Sequence, residues 1–190
     1  SSSLVAYALS RVRFRGRKFW FTCMLVTMML PTQVIMIPQY LIYYRLGLVP
    51  GYVPLILPYF CGQAFFIYQM MQFMQGIPRD LDESACIDGC GSFRIFWQIL
   101  LPLMKPALFS AGLFQFLWTY NDYFNSLIFI NSVKKYTISL ALRLSVDAES
   151  VVVWGRVMAM ACVAVLPLVL LFFAAQKYFV EGIATSGLKG

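Results

Sequence analysis

VMAMACVAVLPLVLLFFAAQ, residues 157–176, runs twenty positions without an Asp, Glu, Lys or Arg. An α-helix of about that length crosses the hydrocarbon core of a bilayer. Three more windows repeat the pattern. No charge lies between Lys18 and Arg45, none between Arg45 and Arg79, and only Asp122 between Lys105 and Lys134. The composition agrees: of 190 residues, 61% are hydrophobic and 12% charged, with a mean hydropathy of +0.73. Soluble chains carry about 25% charged residues, and a domain this small has too little interior to hide so much apolar surface. The solvent is lipid. The fold class is all-α, a polytopic bundle of membrane helices, because in lipid a helix satisfies its own backbone.

A fifth apolar stretch, residues 4–9, is too short to span. It reads as the end of a helix that begins before Ser1, so the N-terminal part of the bundle is expected to be missing. Ser1, Ser2 and Ser3 precede it with no basic region, so these residues are not expected to form a signal peptide. The formal net charge is +7. Five basic residues cluster as Arg11, Arg13, Arg15, Arg17 and Lys18 between two apolar stretches, the juxtamembrane pattern of a cytoplasmic loop. Nucleic acid would require a basic face on a folded domain, and the sequence offers none. Cys23, Cys61 and Cys162 read as small helix residues in lipid. Cys86 and Cys90 are four apart, yet two thiols and no His cannot close a zinc site.

With the basic cluster inside, the chain is expected to alternate across the membrane. Complete helices are read at residues 19–44, 53–74, 106–130 and 151–179. The first carries Pro31 and Pro38 and should bend. Residues 45–52 form an outer turn with Gly47, Pro50 and Gly51. Residues 75–105 are the cytoplasmic segment, residues 131–150 an outer loop, and residues 180–190 a small, Gly-rich tail. Ten of the fifteen Lys and Arg then fall inside, as the positive-inside rule requires. No internal repeat is visible, so residues 1–190 read as a single membrane domain.

The cytoplasmic segment is the informative one. Pro78 can open a helix whose first turn holds Asp80, Asp82 and Glu83 against its positive end. Gly89 can end it in the left-handed conformation. A second short helix is expected at residues 92–100, stopping before Pro102. On it Phe93, Phe96, Trp97 and Leu100 recur at helical spacing and make one apolar face. Such a helix–turn–helix can rest in the lipid headgroups or insert into a groove on a cytoplasmic partner. The residues alone do not choose between the two.

Glu83-Ser84-Ala85, then Gly89, then Ile99-x-Leu101-Pro102 resembles the EAA loop that marks permease subunits of binding-protein-dependent ABC importers. Ser84 departs from the family's usual Ala, and Cys90 stands where a second Ala is common. The resemblance extends to Ala6-Tyr7-Ala8-Leu9-Ser10-Arg11, Arg13-Phe14-Arg15-Gly16, Ile37-Pro38, Leu46-Gly47-Leu48, Ile87-Asp88-Gly89, Trp118-Thr119-Tyr120-Asn121-Asp122 and Leu188-Lys189-Gly190. It is closest to the smaller permease of maltose-type and glycerol-phosphate-type systems. Those permeases have six membrane helices, which implies that the first and most of the second precede Ser1.

This resemblance implies a bacterial inner-membrane transport subunit for a sugar. Its partners would be a cytoplasmic ATP-binding subunit dimer, a second permease subunit in a heterodimer, and an extracytoplasmic solute-binding protein, with membrane lipid around it. Glu83, Ser84, Ala85, Asp88, Gly89, Phe93, Phe96, Ile99, Leu101 and Pro102 would couple to the ATPase. Glu83 would meet a basic residue there, and Phe93, Phe96 and Ile99 would be apolar anchors. The tail at residues 185–190 would also lie near the ATPase. ATP and Mg²⁺ would be held by that partner. This chain has no G-x-x-x-x-G-K-[ST] loop and is not expected to be an enzyme or to bind a cofactor or metal.

The alternative class, an ion-gradient-driven secondary transporter, favours several intramembrane ionisable groups and an inverted repeat. Here there is one, Asp122, and no repeat. A membrane enzyme would need a cluster of titratable groups at one depth. Asp122 is flanked by Trp118, Tyr120, Asn121 and Asn125. An intramembrane carboxylate faces a bundle interior or a cavity. The patch therefore either lines the sugar pathway by hydrogen bonds and ring stacking, or holds the helices together or lies near the outer surface.

Overall fold

The computed structural model describes residues 1–147 and 153–187, and all regular structure among them is helical. The helices are α1 (Ser2–Ser10), α2 (Arg17–Met29), α3 (Thr32–Arg45), α4 (Val53–Phe60), α5 (Ala64–Gln75), α6 (Asp80–Ile87), α7 (Ser92–Leu103), α8 (Lys105–Asn121), α9 (Phe124–Phe129), α10 (Ile138–Asp147) and α11 (Trp154–Gly187). Two stretches, Val53–Gln75 and Trp154–Gln176, are long and apolar enough to cross a membrane. The number rises to four if each of two bent pairs, α2 with α3 and α7 with α8, is one span. The motif at residues 188–190, and with it the end of the expected tail, lies outside the described residues.

Two corrections concern proline. The expected helix at residues 19–44 is two helices, α2 and α3, set at 99°. Leu30 and Pro31 are both extended, with ψ of 123° and 131°. A residue before proline is pushed out of the α region, so the helix ends at Leu30. Pro38, in contrast, sits inside α3. The second correction is at Pro102, which does not stop α7. Residues Ile95–Leu100 form a π-helical turn. The Leu101 N–H then bonds back to the Phe96 carbonyl, five residues earlier. That wider ladder accommodates a proline ring that would collide with the carbonyl four residues before it.

Three further boundaries differ. The span read at residues 106–130 breaks at Asp122 and Tyr123 between α8 and α9. The outer loop at residues 131–150 contains α10, whose Leu140 is fully buried. The last helix continues to Gly187, past the tail expected from residue 180.

The chain packs as two compact units. One comprises Ser1–Leu46 and Ile56–Gly112, the other Gly47–Leu55 and Leu113–Gly190. In the first, α1 lies along α5. Ser2, Ala6 and Ser10 recur every four residues and give α1 a stripe of small side chains, which lets two membrane helices approach closely. The Gln63 N–H donates to Ser2 Oγ at 3.2 Å, and Ser10 Oγ–H donates to Met74 Sδ at 3.1 Å. Gly62 has φ +81°, a conformation that residues with a Cβ rarely adopt, so the turn into α5 is built for glycine. Met70 and Met74 fill the seam and are almost fully buried. In the second unit, the Gly51 N–H donates to the Phe129 carbonyl at 3.0 Å and Tyr52 Oη–H to the Lys135 carbonyl at 2.7 Å.

Large apolar side chains cover the outside. Met29, Phe60 and Leu170 are among many that stand exposed. Surface of that kind belongs in hydrocarbon, where the helices satisfy their backbone internally and present apolar side chains to lipid.

Candidate functional site

The cytoplasmic segment folds as α6, a glycine turn and α7. Asp80, Asp82 and Glu83 occupy the first turn of α6, where the helix dipole favours carboxylates. At the other end Gly89 has φ +79°. Its N–H reaches the Cys86 carbonyl at 3.0 Å, and the Cys90 N–H reaches the Ala85 carbonyl at 2.9 Å. This pair of bonds is a Schellman cap, which needs a left-handed residue at that point. Nothing lies within 4 Å of where a Gly89 Cβ would be, so backbone conformation alone selects the glycine.

The segment has an inner and an outer side. Ala85, Ile95, Phe96 and Leu100 are buried, with Phe96 only 3% exposed and its ring 5.2 Å from that of Tyr7. Ile99 and Leu101 are half-buried. Glu83, Ser84, Asp88, Gly89 and Pro102 are exposed. Ile87 is 88% exposed, and Phe93 and Trp97 stack with ring centroids 6.3 Å apart, both open to the outside. The single apolar face expected on α7 is therefore two stripes. Phe96 and Leu100 turn inward, while Phe93 and Trp97 face out. Phe96 is thus placed as a core residue rather than an outward anchor, and Ile87 joins the outer set.

Residues outside the expected set hold this segment in place. The Arg11 guanidinium ends α1 and pairs with Asp82 Oδ2 at 3.0 Å. The same group donates to the Ile77 carbonyl at 2.6 Å and to the Met74 carbonyl. Tyr7 Oη–H donates to the Ser92 carbonyl at 2.9 Å. In the sequence Arg11 belongs to the basic cluster and ends the Ala6–Arg11 motif, and neither assigns it a partner. Its partner lies 71 positions away, and no local pattern marks that contact.

The polar patch around Asp122 lies in the second unit. Asp122 Oδ1 accepts the Asn125 N–H at 3.1 Å and Oδ2 accepts Asn125 Nδ2–H at 2.7 Å. The carboxylate caps α9 where α8 breaks. Tyr120 Oη–H donates to the Ala164 carbonyl of α11 at 2.8 Å, and Ser139 Oγ–H to the Tyr120 carbonyl. Asn121 Nδ2–H returns to the Leu117 carbonyl of its own helix. Trp118 is half-exposed beside Phe114. A cavity of about 430 Å³ borders Tyr120 and Asn121 together with Tyr123, Ser139, Leu142 and Arg143. Asp122 and Asn125 engage each other and stand apart from that lining. Among the described residues no group of three His, Cys, Asp or Glu side chains converges on a point that could hold a metal ion.

The chain is 37% identical to the probable ABC transporter permease protein YurM of Bacillus subtilis (strain 168), covering 100% of this chain and 63% of that protein. It is 34% identical to the arabinooligosaccharides transport system permease protein AraQ of the same organism, over 100% of this chain and 66% of AraQ. It is also 34% identical to the trehalose/maltose transport system permease protein MalG of Thermococcus litoralis, over 100% and 68%. The chain therefore spans about two thirds of the length of these relatives. A crystal structure of a bacterial ABC transporter that imports the acidic polysaccharide alginate matches with a TM-score of 0.80 and 26% identity, over 94% of this chain and 69% of the matched chain. A family profile for the inner membrane component of binding-protein-dependent transport systems matches residues 2–185. The chain belongs to that family of binding-protein-dependent transport system inner membrane components.

Proposed function

We propose that the protein is the membrane-spanning permease subunit of an ATP-driven carbohydrate importer, and that α6–Gly89–α7 is its docking element for a cytoplasmic ATPase. The observation that carries this reading is the outer side of that element. Exposed Glu83, Ile87, Phe93 and Trp97 project from a segment whose other side is pinned to α1 and α5. An acidic and aromatic surface on a fixed support suits insertion into a partner's groove, where aromatic anchors supply most of the affinity. Glu83, Ser84, Ala85, Asp88, Gly89, Phe93, Ile99, Leu101 and Pro102 form or shape the element, and Phe96 supports it from within.

ATP and Mg²⁺ belong to the partner dimer. A second permease subunit completes the pathway through the bacterial inner membrane, and a solute-binding protein outside hands the substrate over to it. The names of AraQ and MalG favour oligosaccharides as the substrate class. Energy enters because ATP binds one state of the complex more tightly than the other, and the docking element carries that difference to the helices. In the second unit, Tyr120 and Asn121 border a cavity open to a sugar, while Asp122 and Asn125 shape the helix break beside it.

The test is co-purification of the full-length permease with its ATPase subunit, wild type against Glu83→Lys and Gly89→Asp, with ATP hydrolysis and uptake followed. Loss of association or of coupled hydrolysis in folded variants supports docking. Wild-type association and uptake in both would leave the segment as a resting piece of the membrane interface and refute the proposal.

A further inference from the structure

Resting on the importer reading, we infer that Arg11 is a positioning residue for coupling, joining the docking element to α1 and α5 through Asp82. Two neighbouring acids at the start of α6 have divided roles. Glu83 is exposed, where a partner can meet it. Asp82 turns inward and meets Arg11, the two side chains being 19% and 6% exposed. The same guanidinium holds the carbonyls of Met74, in the last turn of α5, and of Ile77, in the link to α6. One side chain at the end of α1 therefore grips the helix, the link and the docking element together. A displacement of α6 cannot leave α1 and α5 behind without breaking charge-assisted bonds away from water, where they are strongest.

Stability alone does not account for a charge pair here. Removing two charges from water costs as much as their attraction returns, and apolar side chains of equal volume do as well. The surroundings would have suited that solution, since Met74, Ala85 and Leu9 nearby in the core are all buried. What an ion pair adds is a defined geometry. Asp82 Oδ1 is buried with no hydrogen-bond partner, so Arg11 engages one carboxylate oxygen and spends its other donors on the two carbonyls. The contact is divided among three elements rather than closed as a two-residue fork, which is the arrangement a joint requires.

The experiment uses the complete complex, with full-length permease, reconstituted in vesicles. ATP hydrolysis is read with and without substrate-loaded binding protein, and uptake is read per ATP consumed. Arg11→Lys keeps the charge but gathers its donors on a single nitrogen, so it cannot span Asp82 and the two carbonyls as the Nη1 and Nη2 groups of Arg11 do. Asp82→Asn keeps the volume and removes the charge. Both variants are expected to retain the ATPase subunit at wild-type stoichiometry while the stimulation ratio falls toward one and uptake per ATP falls with it. The double variant should lose less than the sum of the two single losses, because both weaken the one Arg11–Asp82 pair. A wild-type ratio in either variant overturns the inference. So does loss of assembly in proportion to loss of uptake, which would make Arg11 only structural. If wild type itself neither retains an ATPase nor shows stimulation, the importer reading fails and the inference falls with it.

Discussion

Replacing Gly89 tests whether the turn between α6 and α7 is set by conformation or by space. The structure separates the two, because Gly89 has φ +79° and nothing stands within 4 Å of a Cβ placed there. A side chain therefore meets no neighbour, and the cost of Gly89→Ala is that of a left-handed Ala, about 1–2 kcal/mol. That cost falls on the two capping bonds, from Gly89 to Cys86 and from Cys90 to Ala85. Opening of the turn should become roughly 5–30-fold more frequent, the ratio that such an energy commands. Gly89→Asn should cost less than Gly89→Ala despite its larger side chain, since Asn tolerates this region. Hydrogen–deuterium exchange of peptides covering residues 80–91 in the purified full-length protein reads the opening directly. Exchange rising in the order Gly, Asn, Ala supports the argument. An order that follows side-chain size, with Asn above Ala, would refute it.

The two aromatic stripes of α7 should behave oppositely. Phe96→Ala, at 3% exposure, should destabilise the first unit by about 3–5 kcal/mol in a thermal melt. Trp97→Ala, at 59% exposure, should shift stability by no more than about 0.5 kcal/mol yet weaken retention of the ATPase subunit on a pull-down. Asp122→Ala removes the cap on α9 and should cost about 0.5–2 kcal/mol. Asp122→Asn keeps an acceptor for the Asn125 N–H and should leave both stability and uptake near wild type; a collapse of uptake at unchanged stability would move Asp122 into the sugar pathway. Tyr120→Phe loses the bond to the Ala164 carbonyl and should lower the melting free energy by about 0.5–1.5 kcal/mol.

The helical class and the position of the α6–Gly89–α7 segment were legible because both depend on one-dimensional signals. Charge-free windows mark what lipid accepts, and a glycine after an acidic first turn marks where α6 begins and ends. The breaks were harder, because a proline is the same letter whether it ends a helix or sits inside one. Pro31 follows an extended Leu30 and turns the chain by 99°, whereas Pro38 stays within α3 and Pro102 is absorbed by the π-helical turn before it. Which outcome follows depends on the ladder around each ring. The helix α10 was hidden for another reason. It is short and half polar, and in a membrane protein such a segment reads as loop unless the packing of Leu140 is known.

At the site, the residues that face outward were easier to find than those that hold them. Glu83 and Phe93 lie within a run whose spacing is informative by itself. Asp82 lies between the same neighbours and carries the same charge as Glu83, so no local rule assigns one inward and the other outward. The assignment is made by Arg11, 71 residues earlier, within a basic cluster that the positive-inside rule already explains. Five basic residues in eight positions conceal that one of them is removed from solvent. A charge count is blind to this difference, because it treats the members of a cluster as interchangeable. Burial makes them unequal. Arg11 at 6% exposure must be answered by fixed acceptors, while exposed Arg13, Arg15 and Lys18 are answered by water and by lipid headgroups. The same reasoning separates Asp82 from Glu83, which are adjacent in sequence yet face opposite ways, Asp82 turned toward Arg11 and Glu83 standing exposed.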